Sequence, residues 1–294
     1  MPTRVITVPY RYDEREEGLG AGPSALLGAG LVDRLKSAGV EVAGAVEVTL
    51  PDEEREAGRT AVNIGLLGAH TARATGDALD AGETVLVLAG DDTATIGVLA
   101  GLQRAHGAGA AIGVVWFDAH GDFNTPETSY SGILAGMPVA ILAGLAGPLW
   151  RAAAGLAPPM PTDRIVLGGV RELDHKEETL LRSTDATILT TQEVCAEEPL
   201  RRVVGRLAAS VEWLWIHIDL DVLDPRHVPS ASTPSPRGLE IDELVRGLRV
   251  VLTSGRVTVV SVAGLNPGGG ERGKRSIATT LALLERALPD WTIT

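Results

Sequence analysis

Short apolar runs and longer amphipathic stretches alternate along the whole chain. Residues 5–8, 40–48, 84–88, 112–117, 165–167, 187–189, 213–218 and 257–262 are apolar with little polar alternation. Runs of this kind predict strands buried on both faces, as in a parallel sheet covered by helices. Between them, Gly22-Pro23 opens a predicted helix over 22–37 that stops at Gly39, following the usual proline-in, glycine-out asymmetry. Further helices are predicted over 59–79, from near Thr93, and over 197–210, with an acidic helix start following the strand at 165–167. No repeat, linker or low-complexity segment interrupts the alternation. The pattern predicts one domain over 1–294, a three-layer α/β/α fold with a mostly parallel sheet of about eight strands. Ligands should then meet the carboxyl edge of that sheet.

Two of the strands end in acids. The run 112–117 passes into Asp118-Ala119-His120-Gly121-Asp122-Phe123-Asn124, and 213–218 into Asp219-Leu220-Asp221-Val222-Leu223-Asp224-Pro225. Extended backbone turns alternate side chains the same way, so Asp118, His120 and Asp122 can converge, as can Asp219 and Asp221. The first stretch alone is equally compatible with a solvated loop capping a helix. The second changes the balance, because carboxylates crowded at the ends of buried strands repel one another and rise in pKa unless a cation relieves them. An oxygen-rich set with one imidazole suits Mn²⁺ or Mg²⁺, and two such sets suggest a pair of ions.

Composition narrows the classes. Of the 294 residues 45% are hydrophobic but only 3% aromatic, so a large core must be filled by aliphatic side chains. A net charge of −12 argues against nucleic acid or an anionic membrane as partner. Cys195 is the single cysteine, which excludes an internal disulfide and thiolate metal clusters. No leader pattern and no membrane-length apolar run is visible, so a cytoplasmic location is the expectation. Gly268 to Lys274 superficially fits a phosphate loop but lacks Ser or Thr after the lysine, and a nucleotide role is rejected.

The paired motifs resemble the two signatures of the arginase/agmatinase (ureohydrolase) family, and the resemblance runs over nearly the whole chain. It implies the family's arginase-like fold and a binuclear manganese centre, with Ni²⁺ or Co²⁺ as possible substitutes. Carried over residue by residue, Asp118 and Asp219 would bridge the ions. Asp92 and Asp122 would complete one ion's shell, and His120 with Asp221 the other's. Catalysis would rest on Asp122, Asp219 and His120. Asn124 and Ser131 match residues that bind a substrate α-carboxylate. Asp174 and Glu177 match residues near its α-amino group, and Thr233 lies in a substrate-facing turn.

Three departures qualify the match. The family has histidine where Asp92 stands, a proton-transfer histidine where Ala135 stands, and a guanidinium-binding glutamate where Gly264 stands. Residues 122–128 and the small residue at 135 are more similar to a divergent branch, the Nω-hydroxy-arginine amidinohydrolases of D-cycloserine biosynthesis. That branch also lacks the usual histidine at the first metal. Glu271 is a candidate replacement for the missing glutamate, and Asp92 is alternatively a helix cap. His217 reads as core or as support for the acids, and His70, His106, His175 and His227 as structural or solvent-facing. The expected activity is hydrolysis of a guanidino or N-hydroxyguanidino compound such as arginine or Nω-hydroxy-arginine. The alternatives are a non-catalytic metal-containing binder and a hydrolase of another amidine or amide. A homo-oligomer is possible.

Overall fold

The computed structural model describes residues 1–293. Eight strands form one sheet: β1 (Thr3–Val8), β2 (Val42–Glu47), β3 (Thr84–Ala89), β4 (Ile112–Phe117), β5 (Ile165–Val170), β6 (Thr187–Thr190), β7 (Trp213–Asp219) and β8 (Val257–Ala263). Their spatial order is β2-β1-β3-β8-β7-β4-β5-β6, and every pairing is parallel. β3, β4 and β8 are buried along their whole length. That explains their unbroken apolar runs, since parallel strands are covered on both faces. β2, at the sheet edge, is largely exposed and is shorter than the 40–48 run predicts.

Helices cover both faces. On one side lie α1 (Gly22–Gly28), α2 (Leu31–Ser37) and the helices Glu198–Ser210, Ile241–Leu252 and Glu271–Ala287. Their buried Leu26, Leu35, Leu200, Leu248 and Leu284 join Val115, Phe117 and Ile216 of the sheet in one core. On the other side Thr60–Asp80, Thr95–His106, Pro138–Leu142, Pro148–Ala154 and His175–Arg182 pack their apolar faces on Val87, Trp116, Trp215 and Val259. The helix predicted over 22–37 is two helices. Gly30 adopts φ +83°, a left-handed conformation that cannot continue a right-handed helix and that glycine adopts without penalty.

Because β3, β8, β7 and β4 are consecutive in the sheet, the turns after residues 89, 117, 219 and 263 open side by side at its carboxyl edge. The register sets Ala263 beside Asp219, and His217 between Trp116 and Ser261. Acids distant in sequence are thereby gathered at one edge.

Candidate metal centre and its cavity

At the end of β4 the backbone turns within reach of its own acid. The Asp118 carboxylate accepts from the His120 amide at 2.7 Å through Oδ1 and from the Trp116 indole at 2.9 Å through Oδ2. After β7, Asp219 Oδ1 accepts from the Asp221 amide at 2.7 Å. Asp221 then accepts from the Ala119 amide at 3.2 Å and from the Thr233 hydroxyl at 2.9 Å. His120 Nδ1 sits 3.3 Å from Asp118 Oδ1 and 3.2 Å from Asp221 Oδ2. Asp118, His120 and Asp221 thus offer ligand atoms all within 4.8 Å of one another.

The other half is built differently. Asp91, not Asp92, caps the turn after β3: its carboxylate accepts from the Thr93 amide at 3.0 Å and from the Tyr12 amide at 2.8 Å. This frees the Asp92 side chain, which reaches the Asp219 carboxylate and lies with Oδ1 2.9 Å from His217 Nε2. Asp122 takes φ +47°, uncommon outside glycine, and its carbonyl accepts the Val139 and Ala140 amides at the start of the helix Pro138–Leu142. Asp122 Oδ2 is buried with no hydrogen-bond partner.

These acids are uncomfortable without a counter-charge. Burial, with Asp118 nearby, pushes Asp92 up to about 7. Burial and neighbouring aspartates hold Asp122 and Asp219 well above the ordinary carboxylate range, and Asp118 is raised as well. Burial opposes charge on His120, yet its contacts with Asp118 and Asp221 carry it up to about 11. His217, wholly buried, is pushed down to about 3. An orphaned, buried carboxylate oxygen beside three further aspartates and Glu177 is costly unless a cation completes it. The residues therefore fit a site for divalent ions, and the donors are oxygens with one imidazole.

Above the acids opens a cavity of about 310 Å³ lined by Asp92, His120, Asp122 and Asp219, and also by Asn124, Ser131, Asp174, Glu177 and Thr233. Asp118 and Asp221 lie buried and do not line it. Apart from Glu271, the residues nominated from the sequence for the metals or the substrate lie at this cavity or in contact with its lining. Asn124 Nδ2 donates to Asp174 Oδ2 at 3.3 Å, and its Oδ1 accepts from Thr128 at 2.9 Å. Asp174 and Glu177 are also the capping box of the helix His175–Arg182, so the plain structural role of that segment and its place in the cavity wall coexist. Glu177 additionally accepts from the Phe123 amide at 2.9 Å, tying that helix to the β4 turn.

Glu271 does not replace a site glutamate. It is 88% exposed, pairs with Lys274 and is not among the residues lining the cavity. Gly264 takes φ +86°, and a Cβ there would overlap the Asp219 carboxylate. The absence of a side chain at 264 is thus required by the way Asp219 is seated. Two contributors escaped the sequence reading. Glu172 lines the cavity with Oε2 4.0 Å from His120 Nε2. The Arg171 guanidinium donates to the carbonyls of Gly169, Asp221, Val222, Ser235 and Pro236, clamping the loop that carries Asp221 and Thr233. The adjacent Arg171-Glu172 pair was visible in the sequence, but nothing local said that the arginine turns to carbonyls and the glutamate to the cavity.

A fully parallel eight-stranded sheet with an Asp/His cluster at its carboxyl edge defines a metal-dependent hydrolase of the ureohydrolase class. The chain belongs to the arginase family, whose model, described as "Arginase family", matches residues 2–288. It is 31% identical over 290 residues to an arginase of Bacillus caldovelox, covering 95% of this chain and 96% of that one. An arginase of Bacillus subtilis (strain 168) is 28% identical over 293 residues, covering 97% and 98%. The crystal structure of arginase from Bacillus subtilis superposes with a TM-score of 0.84 at 26% identity, covering 98% of each chain. Among the described residues, no helix is long and apolar enough to cross a membrane.

Proposed function

We propose that this chain hydrolyses a C–N bond of a guanidino or N-hydroxyguanidino amino acid, such as arginine or Nω-hydroxy-arginine, releasing urea or hydroxyurea. Asp118 and Asp219 would be shared by two divalent ions. Asp92 with Asp122 would complete one set and His120 with Asp221 the other, manganese being the first ion to test. The reading rests above all on the unpartnered Asp122 Oδ2 at the floor of an acid-walled cavity.

The bound cations would acidify a water and offset the crowded carboxylates. The chain's own residues then divide the remaining work. Asp122, which lines the cavity, takes the proton of the attacking water and returns it to the departing amine. Holding water and carbon together in one orientation supplies much of the acceleration, because a guanidinium carbon is a poor electrophile. Asn124 and Ser131 donate to the substrate α-carboxylate, while Asp174 and Glu177 face its α-amino group and Thr233 borders the turn beside Asp221. Among the described residues no lysine or arginine lines the cavity, which favours a cationic substrate. The volume of about 310 Å³ lies at the small end of the roughly 300–1,000 Å³ of ligand sites.

Gly264 supports the N-hydroxylated compound as the better substrate, since no carboxylate stands there to pair with a full guanidinium. Protein supplied with Mn²⁺ and incubated with arginine, Nω-hydroxy-arginine, agmatine and a formimino amino acid should release urea or hydroxyurea from an amino-acid guanidine. Metal-loaded protein that binds such compounds without turnover would instead support a ligand-binding role. Turnover of the formimino compound alone would redirect the substrate.

A further inference from the structure

Behind Asp92 lies a buried chain of polar groups that the hydrolytic reading does not use. His217 is fully buried on β7, its ring 3.8 Å from that of Trp116 by centroids. Nε2 lies 2.9 Å from Asp92 Oδ1 and Nδ1 lies 2.8 Å from Ser261 Oγ. Ser261, fully buried on β8, also accepts from the Trp215 indole at 2.8 Å.

The donor inventory gives this chain one direction. An ionised carboxylate only accepts, so Nε2 must carry the proton it gives to Asp92. Nδ1 of the neutral ring is then an acceptor and takes the single hydroxyl proton of Ser261. That proton's other acceptor, the Ile216 carbonyl, is farther away at 3.4 Å. The indole, which can only donate, fills a lone pair of Ser261. The Trp215 indole, the Ser261 hydroxyl, both His217 nitrogens and Asp92 Oδ1 are all paired in this arrangement.

We propose that His217 is a positioning residue for one of the two ions: it holds one Asp92 oxygen, so that the other is presented to the cation beside Asp219 and Asp122. This rests on the binuclear reading above. Groups that orient a ligating carboxylate or imidazole typically contribute about 10–100-fold to metal affinity. A neutral, fully buried ring that donates to Asp92 and is itself fixed by Ser261 has the burial and the neighbours to do so.

The test is Mn²⁺ titration of chelator-treated protein by calorimetry, with bound metal counted by elemental analysis and the ion pair followed by electron paramagnetic resonance. His217→Phe fills the space without a donor and should weaken one of the two ions by about 10–100-fold, replacing the coupled-pair spectrum with that of a single ion. His217→Gln, which can place a donor near Nε2, should bind both ions close to wild type. Ser261→Ala should fall between, because it frees the ring to rotate. A folded His217→Phe that binds both ions like wild type overturns the proposal and leaves the binuclear reading intact. If His217→Phe loses its near-ultraviolet dichroism, Ser261→Ala decides, and unchanged affinity for both ions overturns the proposal. Wild-type protein that takes up no second ion overturns the binuclear reading and this inference together.

Discussion

The two halves of the acid cluster are held by different means. Around Asp118 and Asp221 every carboxylate oxygen is filled: the His120 amide and Trp116 indole, each two residues away, hold Asp118, while the Thr233 hydroxyl and, from across the sheet, the Ala119 amide hold Asp221. Around Asp92 and Asp122 the support is distant or absent. Asp92 leans on His217, 125 residues away in sequence, and Asp122 Oδ2 has no partner. The first half is preorganised without any ion, Asp118 by its own turn and Asp221 by donors from two loops. The second half keeps one buried oxygen without a partner and leaves Asp92 to a single ring reached across the sheet. Preorganisation by local backbone is robust to substitution elsewhere, whereas a ligand held by one buried ring depends on that ring.

The sharpest test of this contrast removes a ligand from each half. Asp219→Ala, which removes the shared acid, should lose both ions and reduce kcat/KM by more than the roughly 100-fold that marks the upper range for supporting residues. Asp92→Ala should lose one ion and leave the Asp118–His120–Asp221 side occupied, as read by elemental analysis. Full metal content and full activity in Asp92→Ala would show that the two halves do not differ as described.

Substrate preference should follow from Gly264. A charge-assisted hydrogen bond contributes about 1.5–3 kcal/mol, so arginine should be turned over roughly 10–150-fold less efficiently than an enzyme with that partner achieves. The less basic Nω-hydroxy-arginine should be preferred, and equal kcat/KM for the two compounds would refute this. Gly264→Ala should also be harmful, since a non-glycine residue at φ +86° is strained by about 1–3 kcal/mol and its methyl would displace Asp219. Its melting temperature should fall, and Mn²⁺ should restore less of it than in wild type.

The chelated protein should show an unusual pH dependence. Asp92 is raised to about 7 in the folded chain, so folding takes up a proton that is progressively released as pH rises toward that value. His120, raised to about 11, contributes stability that is complete below about pH 6.5, its unfolded value, and lost as pH rises through the folded value. His217, depressed to about 3, opposes this only between about pH 3 and 6.5. Above pH 6.5 both remaining contributions have the same sign, so stability without metal should decline with pH. Mn²⁺, competing with those protons, should raise the melting temperature more at pH 8.5 than at pH 6. A pH-independent increment would indicate that the acids are not the ligands.

The smallest effect is expected at Arg171. Lysine keeps the charge but cannot span the carbonyls of Gly169, Asp221, Val222, Ser235 and Pro236. Arg171→Lys should raise KM modestly through the loosened Thr233 turn, with metal content unchanged. Loss of metal equal to that of Asp219→Ala would mean that the clamp, rather than the local turn, holds Asp221.

Much of the fold could be read directly from residues, and the candidate acids were legible as two motifs at strand ends. Strands β3, β4, β7 and β8 announce themselves as unbroken apolar runs because both their faces are covered, but the acids after them are brought together by turns and not by extended backbone, since Asp122 takes φ +47° and Leu220–Val222 is a 3-10 turn. The break at Gly30 was hidden, since glycine is compatible with a helix interior and only the packing of α1 and α2 demands its positive φ. Asp91 and Asp92 are chemically identical neighbours, and the chain alone could not say which would cap and which would face the cavity. His217 belongs to a strand that reads as core whichever strand lies beside it. Its contacts with Asp92 and Ser261 were decided when β8 and β4 flanked β7 and β3 took its place next to β8, because donor and acceptor in this chain are joined by strand order. Periodicity and residue type act over a few positions and can be read from a single line of text. Partnership across a parallel sheet depends on crossovers of many residues, and is settled only by the packing that selects one strand order.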